Sequence, residues 1–224
     1  MEDDTLEIVY DVSPKTKTML ILQASDEPEI CEVDLIEKVA DLYDLHVEIR
    51  NIADKYTKAD FAKVNATGWD VVYICGHGNR FGVGKSNKVV IGWRQLSQLI
   101  CMELANDSWF FLGCCRSGLT SVAYEMFAGC GNFSYVFGPV WKASAGQLAC
   151  AFHTLMHNFR DEDLEPSRAA IRASEAINLE IRSYDREEII FSDSFLRWAE
   201  ENGVDINFHY EEPLREEDLD DASV

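Results

Sequence analysis

Two stretches of this 224-residue chain end in side chains capable of covalent chemistry. Trp69-Asp70-Val71-Val72-Tyr73-Ile74-Cys75 runs into Gly76-His77-Gly78, and Trp109-Phe110-Phe111-Leu112 runs into Gly113-Cys114-Cys115-Arg116-Ser117-Gly118. A cysteine attacks a carbonyl as the thiolate. A neighbouring imidazole favours that form and later returns the proton to a leaving amine. The oxyanion that forms needs backbone N–H donors aimed at it. Cys115, between a strand end and a helix start, supplies its own N–H, and Gly78 lets a second N–H approach because no side chain blocks it. Gly113 and Gly118 relax the same constraint around the nucleophile. These residue types suit acyl transfer in the form of peptide hydrolysis. Cys115 would be the nucleophile, His77 the base and acid, and Gly78 with Cys115 the oxyanion hole.

Such a pair works only if the fold brings the two turns together. Both stretches begin as continuous apolar, β-branched or aromatic runs, the pattern of strands buried on both faces. The carboxyl ends of parallel strands are where ligands and chemistry gather. Thr18–Gln23 reads as a first central strand, residues 33–42 as an amphipathic helix, His46–Ile52 as a half-polar strand and residues 58–64 as a short helix. After His77-Gly78, the glycines and apolar ends of residues 79–93 predict a β-hairpin in which Gly82 and Gly84 take positive φ. A helix over 94–104 leads to the second stretch. A helix over 121–128, N-capped by Thr120, leads to a strand over 133–141. Helices over 145–159, 167–184 and 195–201 follow, with an edge strand over 204–210. This alternation predicts an α/β fold: a mostly parallel central sheet with helices on both faces and a hairpin near the site. The domain is expected to span residues 1–213, with 214–224 an acidic, disordered tail.

The paired turns resemble those of caspase-like cysteine peptidases, in which a histidine-glycine follows one strand and a cysteine follows the next. Caspases carry Gln-Ala-Cys-Arg-Gly with the histidine about 50 residues upstream. The sequence here is more similar to the CHAT branch of that superfamily. The likeness lies in Gly76-His77-Gly78, in the small-Cys-x-Ser/Thr-Gly nucleophile turn, in the strand ending Phe137-Gly138-Pro139-Val140-Trp141, and in Glu165-Pro166 leading into an alanine-rich helix. It spans roughly residues 17 to 182. The resemblance implies a caspase-like fold and limited proteolysis by a Cys115–His77 dyad, in a regulated defence or cell-death pathway. It also implies a protein substrate, with control expected from an activating or regulatory partner, from processing or from another chain.

The substrate pocket departs from the family. The position two before the nucleophile, which carries glutamine in caspases and aspartate in metacaspase-like enzymes, is Gly113. Asp26, with Glu27 and Glu29 in the loop after the first strand, would favour a basic P1 side chain. Trp141-Lys142, similar to the Trp-Arg of caspase pockets, would favour an acidic one. Asp26, Gly113, Trp141 and Lys142 are therefore the pocket candidates, with the P1 preference open.

Other chemistries fit less well. Cys114 is a second candidate nucleophile, but adjacent residues at a strand end face opposite ways and Cys114 reads as core. Cys75-x-His77 with Cys114 or Cys115 gives a poor metal chelate, since zinc ligands are usually spaced two to four apart. His153 and His157, at i and i+4, lack a third ligand. Gly82-x-Gly84-Lys85-Ser86 is not a full phosphate loop. No cofactor is expected. A non-catalytic caspase-like scaffold with a vestigial site remains the rival to the peptidase.

Composition narrows the partners. Twenty basic against 40 acidic residues give a formal net charge of −20, which opposes binding to nucleic acid or an anionic membrane surface. The seven cysteines are odd in number and include an adjacent pair, so they predict no disulfide framework and a cytoplasmic location. The acidic start predicts no secretory leader, and no apolar run reaches the length of a membrane helix.

Overall fold

Met19–Leu22 are four consecutive side chains with no solvent exposure. Such a run is possible only in a strand covered on both faces. In the computed structural model, which describes residues 18–24, 32–52, 68–85 and 88–205, this strand, β1 (Thr18–Gln23), lies inside a six-stranded sheet. The other strands are β2 (His46–Asn51), β3 (Trp69–Cys75), β7 (Leu104–Gly113), β8 (Phe133–Pro139) and β9 (Ile181–Asp185), in the order β2-β1-β3-β7-β8-β9. The first five are mutually parallel, and β9 runs antiparallel to β8. Strand order reverses at β1, so a switch point lies between β1 and β3, beside the paired turns. The fold is thus α/β, mostly parallel, with helices on both faces, as the sequence predicts.

Alternation along each strand divides the core. Val72 and Ile74 of β3, with Phe110 and Leu112 of β7, pack under α2 (Trp93–Ile100), α3 (Thr120–Gly129), α6 (Arg186–Ile190) and α7 (Asp193–Glu201). Val71, Tyr73 and Cys75, with Trp109 and Phe111, pack under α1 (Glu32–Leu42), α4 (Ala145–Leu155) and α5 (Pro166–Ile177). Among the described residues no helix is long and apolar enough to cross a membrane.

The predicted hairpin is a three-stranded antiparallel sheet of β4 (His77–Asn79), β5 (Gly82–Lys85) and β6 (Lys88–Gly92). Gly82 and Gly84 do not take positive φ. Their lack of a side chain instead permits close backbone approach: a Cβ would run into the carbonyl oxygens of Ile91 and Lys88, respectively.

Four other expectations are corrected. Residues 181–184 are strand rather than the end of a helix, because α5 stops at Asn178, which adopts a left-handed cap at φ 50°. Thr120 is the first residue of α3 rather than its cap; its hydroxyl lies 3.3 Å from that of Tyr184. The helix over 94–104 ends at Ile100 and passes through a short 3₁₀ turn, so Leu104 already belongs to β7. Cys101 and Cys130 are joined in a disulfide that ties the turn after α2 to the end of α3. Those two helices share a sheet face and bring the Cα atoms within 5.5 Å, a proximity that cysteine spacing alone does not reveal. The helix over 58–64, Asp26 and the acidic tail lie outside the described residues, as does the strand over 204–210 apart from Val204 and Asp205, which are not in a strand.

Candidate active site

β3 and β7 are direct neighbours, and their register pairs Cys75 with Gly113. His77 and Cys115 therefore each stand two residues beyond the same level of the sheet. At the end of β3 the chain turns through Gly76, whose φ of 146° favours glycine. His77 then opens β4 with its side chain exposed. Gly78 follows and faces the opposite turn: a Cβ there would overlap that of Cys114 and lie 3.1 Å from the carbonyl oxygen of Cys115. The two turns meet through bare backbone.

The cysteine turn is tightly held. Cys114 N–H donates to the carbonyl of Leu112 at 2.7 Å, closing a three-residue turn centred on Gly113. Ser117 is fully buried, and its Oγ lies 2.7 Å from the carbonyl oxygens of both Leu112 and Cys114. Gly118 N–H donates to Pro139 at 2.9 Å, and Arg116 N–H to Trp141 at 3.4 Å, so the turn is fastened to the end of β8. Arg116 sits in the left-handed region at φ 61°. Such strain in a residue other than glycine clusters at functional sites. Among the described residues, the Cys115 N–H has no acceptor.

The neighbouring thiols differ in character. Cys75 and Cys114 are fully buried, and Cys115 is half-exposed. Burial, and then the charge of Glu32, pushes the Cys75 and Cys114 thiols well above the ordinary cysteine range. A thiol held protonated is a poor nucleophile, so Cys115 is the better placed of the three. The Cys114 Sγ instead approaches the carbonyl of Ile74 at 3.5 Å.

Of the pocket candidates, Trp141 and Lys142 are exposed, Trp141 at 58%, and the Trp141 carbonyl meets the cysteine turn. Gly113 is buried. A Cβ on it would lie 2.5 Å from Glu32 Oε1 and closer still to the Tyr73 hydroxyl. Asp26 is not among the described residues. The Nδ1 of His153 lies 3.1 Å from the Tyr43 hydroxyl. Among the described residues no group of three or more His, Cys, Asp or Glu side chains is arranged to hold a metal ion.

Sequence reasoning missed Glu32 and Tyr73. Tyr73 O–H donates to Glu32 Oε1 beside Gly113, and Glu32 is only 4% exposed. Burial pushes its carboxyl up to about 8 against the opposing effect of the Tyr73 hydrogen bond. An acid in the first turn of a helix ordinarily sits in solvent, so nothing in the local sequence marks this one as buried.

No protein-family model matches the sequence, and no curated protein sequence matches it. The solved structures it resembles include cysteine proteases. A secreted C11 cysteine protease from Bacteroides thetaiotaomicron, in complex with an irreversible peptide inhibitor, is 11% identical at a TM-score of 0.49, over 77% of this chain and 67% of that one. The Arg-specific cysteine proteinase gingipain R is 10% identical at a TM-score of 0.49, over 75% of this chain and 46% of that one. Separase of Saccharomyces cerevisiae, from its complex with securin, is 14% identical at a TM-score of 0.44, over 77% of this chain and 12% of that one. The chain thus spans less than half the length of gingipain R and a small part of separase.

Proposed function

We propose that this chain is a caspase-like cysteine endopeptidase of the CHAT type that cuts a protein substrate at selected sites. The observation that carries the proposal is the contact between the His77-Gly78 and Cys114-Cys115 turns, which stand at the same level on neighbouring parallel strands. The Cys115 thiol gives its proton to His77, and its sulfur bonds to the scissile carbonyl carbon. The N–H groups of Cys115 and Gly78 receive the oxyanion. His77 returns the proton to the departing amine as the C–N bond breaks, leaving a thioester. Water, deprotonated by His77, then displaces Cys115 and releases the new carboxyl terminus. Trp141 and Lys142 form one wall of the substrate cleft. The resemblance in the two motifs supports regulated, limited proteolysis under the control of a partner protein, in a defence or cell-death setting.

The test is labelling of the chain with acyloxymethyl-ketone peptides bearing Arg, Lys, Asp or Leu at P1, read by mass spectrometry, alongside Cys115→Ala and His77→Ala. The expected result is modification at Cys115 that His77→Ala abolishes. Modification at another cysteine, or labelling of Cys115 that does not depend on His77, would overturn the dyad. Absence of labelling with and without candidate partners would favour a scaffold.

A further inference from the structure

The Glu32–Tyr73 pair lies outside the reacting groups yet fills the space beside Gly113 in the turn that presents Cys115. Tyr73 projects from β3, the strand that leads to His77, and Glu32 opens α1. Their polar atoms meet where a side chain on Gly113 would stand, at the centre of the three-residue turn closed by the Cys114–Leu112 hydrogen bond. Cys115 follows two residues later. One hydrogen bond between two buried groups therefore links α1, the histidine strand and the bend of the cysteine strand.

We propose that Glu32 is a positioning residue for Cys115: its carboxyl, hydrogen-bonded to Tyr73 in the space left by Gly113, fixes the bend from which the thiol projects. The inference rests on Cys115 being the reactive thiol of the proposed peptidase. The bond needs a donor at Tyr73 O–H and an acceptor at Glu32 Oε1; an ionised carboxyl would still accept, but as a buried charge. At neutral pH the carboxyl is protonated, since burial pushes it up to about 8. The titratable groups coupled to it among the described residues are Tyr73 and Cys75 on β3 and Cys114 at the end of β7. All three are held protonated by burial. Ionisation of Glu32 would leave a charge in their midst with no cation among the described residues shown to offset it.

The test uses the full chain and iodoacetamide, a small neutral reagent that reads the exposure and ionisation of the Cys115 thiol without requiring peptide hydrolysis. Rates of Cys115 alkylation, located by mass spectrometry, are measured from pH 6 to pH 9.5 for wild type, Glu32→Gln, Glu32→Ala and Tyr73→Phe. Glu32→Gln keeps the acceptor and the shape, whereas Glu32→Ala removes both. At pH 7, Glu32→Ala is expected to slow Cys115 at least about tenfold, and Glu32→Gln to stay within about threefold of wild type, as expected for a group that acts through geometry. The ratio of the Gln variant to wild type should rise as pH passes through about 8. Should Glu32→Ala fail to fold, as judged by circular dichroism, Tyr73→Phe carries the same expectation of slowing. Equal rates in wild type and the Ala or Phe variant, or equal slowing by Gln and Ala, would overturn the inference and leave the peptidase reading intact. A wild-type Cys115 inert to iodoacetamide would overturn both. Reactive, Glu32-dependent alkylation without peptide cleavage would overturn the peptidase reading alone.

Discussion

Gly78 and Cys114 come so close that a methyl group on Gly78 would overlap the Cβ of Cys114. This contact holds the histidine and cysteine turns at one separation, and backbone and a fully buried side chain on the far side leave the methyl nowhere to go. Gly78→Ala is therefore expected to force the turns apart. Overpacking of this kind costs about 1–3 kcal/mol. A displacement of about 1 Å between reacting groups can cost about a hundredfold in rate. Thermal melts and peptide-probe labelling of Cys115 should show a modest loss of stability beside a large loss of labelling. Labelling that falls only in step with stability would mean that the contact does not set the site geometry.

Ser117 belongs to the same turn but supports it from below. Its Oγ, 2.7 Å from two buried carbonyl oxygens, supplies the one hydroxyl proton available to them. Ser117→Ala keeps the shape and removes that donor. Both carbonyls keep a backbone N–H donor, from Cys114 and Ser117 respectively. The change therefore removes one net hydrogen bond, worth about 0.5–1.5 kcal/mol, and the denaturation midpoint should fall by a corresponding amount. Ser117→Cys, which retains only a weak donor, should recover little of it.

The sheet was legible in the sequence for a physical reason. Strands covered on both faces need unbroken apolar runs, and Met19–Leu22, Val71–Cys75 and Trp109–Leu112 are such runs. The two turns were legible because glycine interrupts each run beside a reactive side chain. Strand β9 was not, because Ile181-Arg182-Ser183-Tyr184 continues the polar-apolar mixture of the helix before it; the sign was Asn178, a residue tolerant of the left-handed cap. The burial of Glu32 was invisible because it depends on Tyr73 and Gly113, which are remote in sequence. The role of Gly82 and Gly84 was misjudged because close approach and positive φ both call for glycine.

A second buried acidic side chain, Glu103, allows a prediction about the fold alone. Its side chain is inaccessible and receives both oxygens' worth of hydrogen bonds from Arg50 Nη1, at 2.9 and 2.7 Å, with Trp69 Nε1 donating at 3.2 Å. Removing one partner of a buried ion pair strands the other and costs about 3–5 kcal/mol. Arg50 keeps its contact with Glu48 and some access to water, so Glu103→Ala should fall at the lower end of that range. Urea unfolding of Glu103→Ala and Arg50→Met would check it. The double variant should be less destabilised than the two single changes added together, because the second change removes a group already stranded.

Glu32 gives stability a pH dependence opposite in sign to that of a salt-bridged carboxylate. Its folded pKa of about 8 lies above the ordinary value of 4.5. Below pH 4.5 both folded and unfolded chains hold the proton, and Glu32 exerts no pH-dependent effect. Between pH 4.5 and about 8 the unfolded chain releases the proton while the folded chain keeps it, so stability falls steadily as pH rises. Above about pH 8 both are ionised and the full penalty stands. Each pKa unit corresponds to about 1.4 kcal/mol, so the penalty amounts to several kcal/mol. Glu32→Gln removes the ionisation and keeps the acceptor for Tyr73. Chemical denaturation of the two proteins should give similar stabilities near pH 4.5 and a growing advantage for the Gln variant up to about pH 8. A constant difference across that window would show that the carboxyl titrates as it would in solvent.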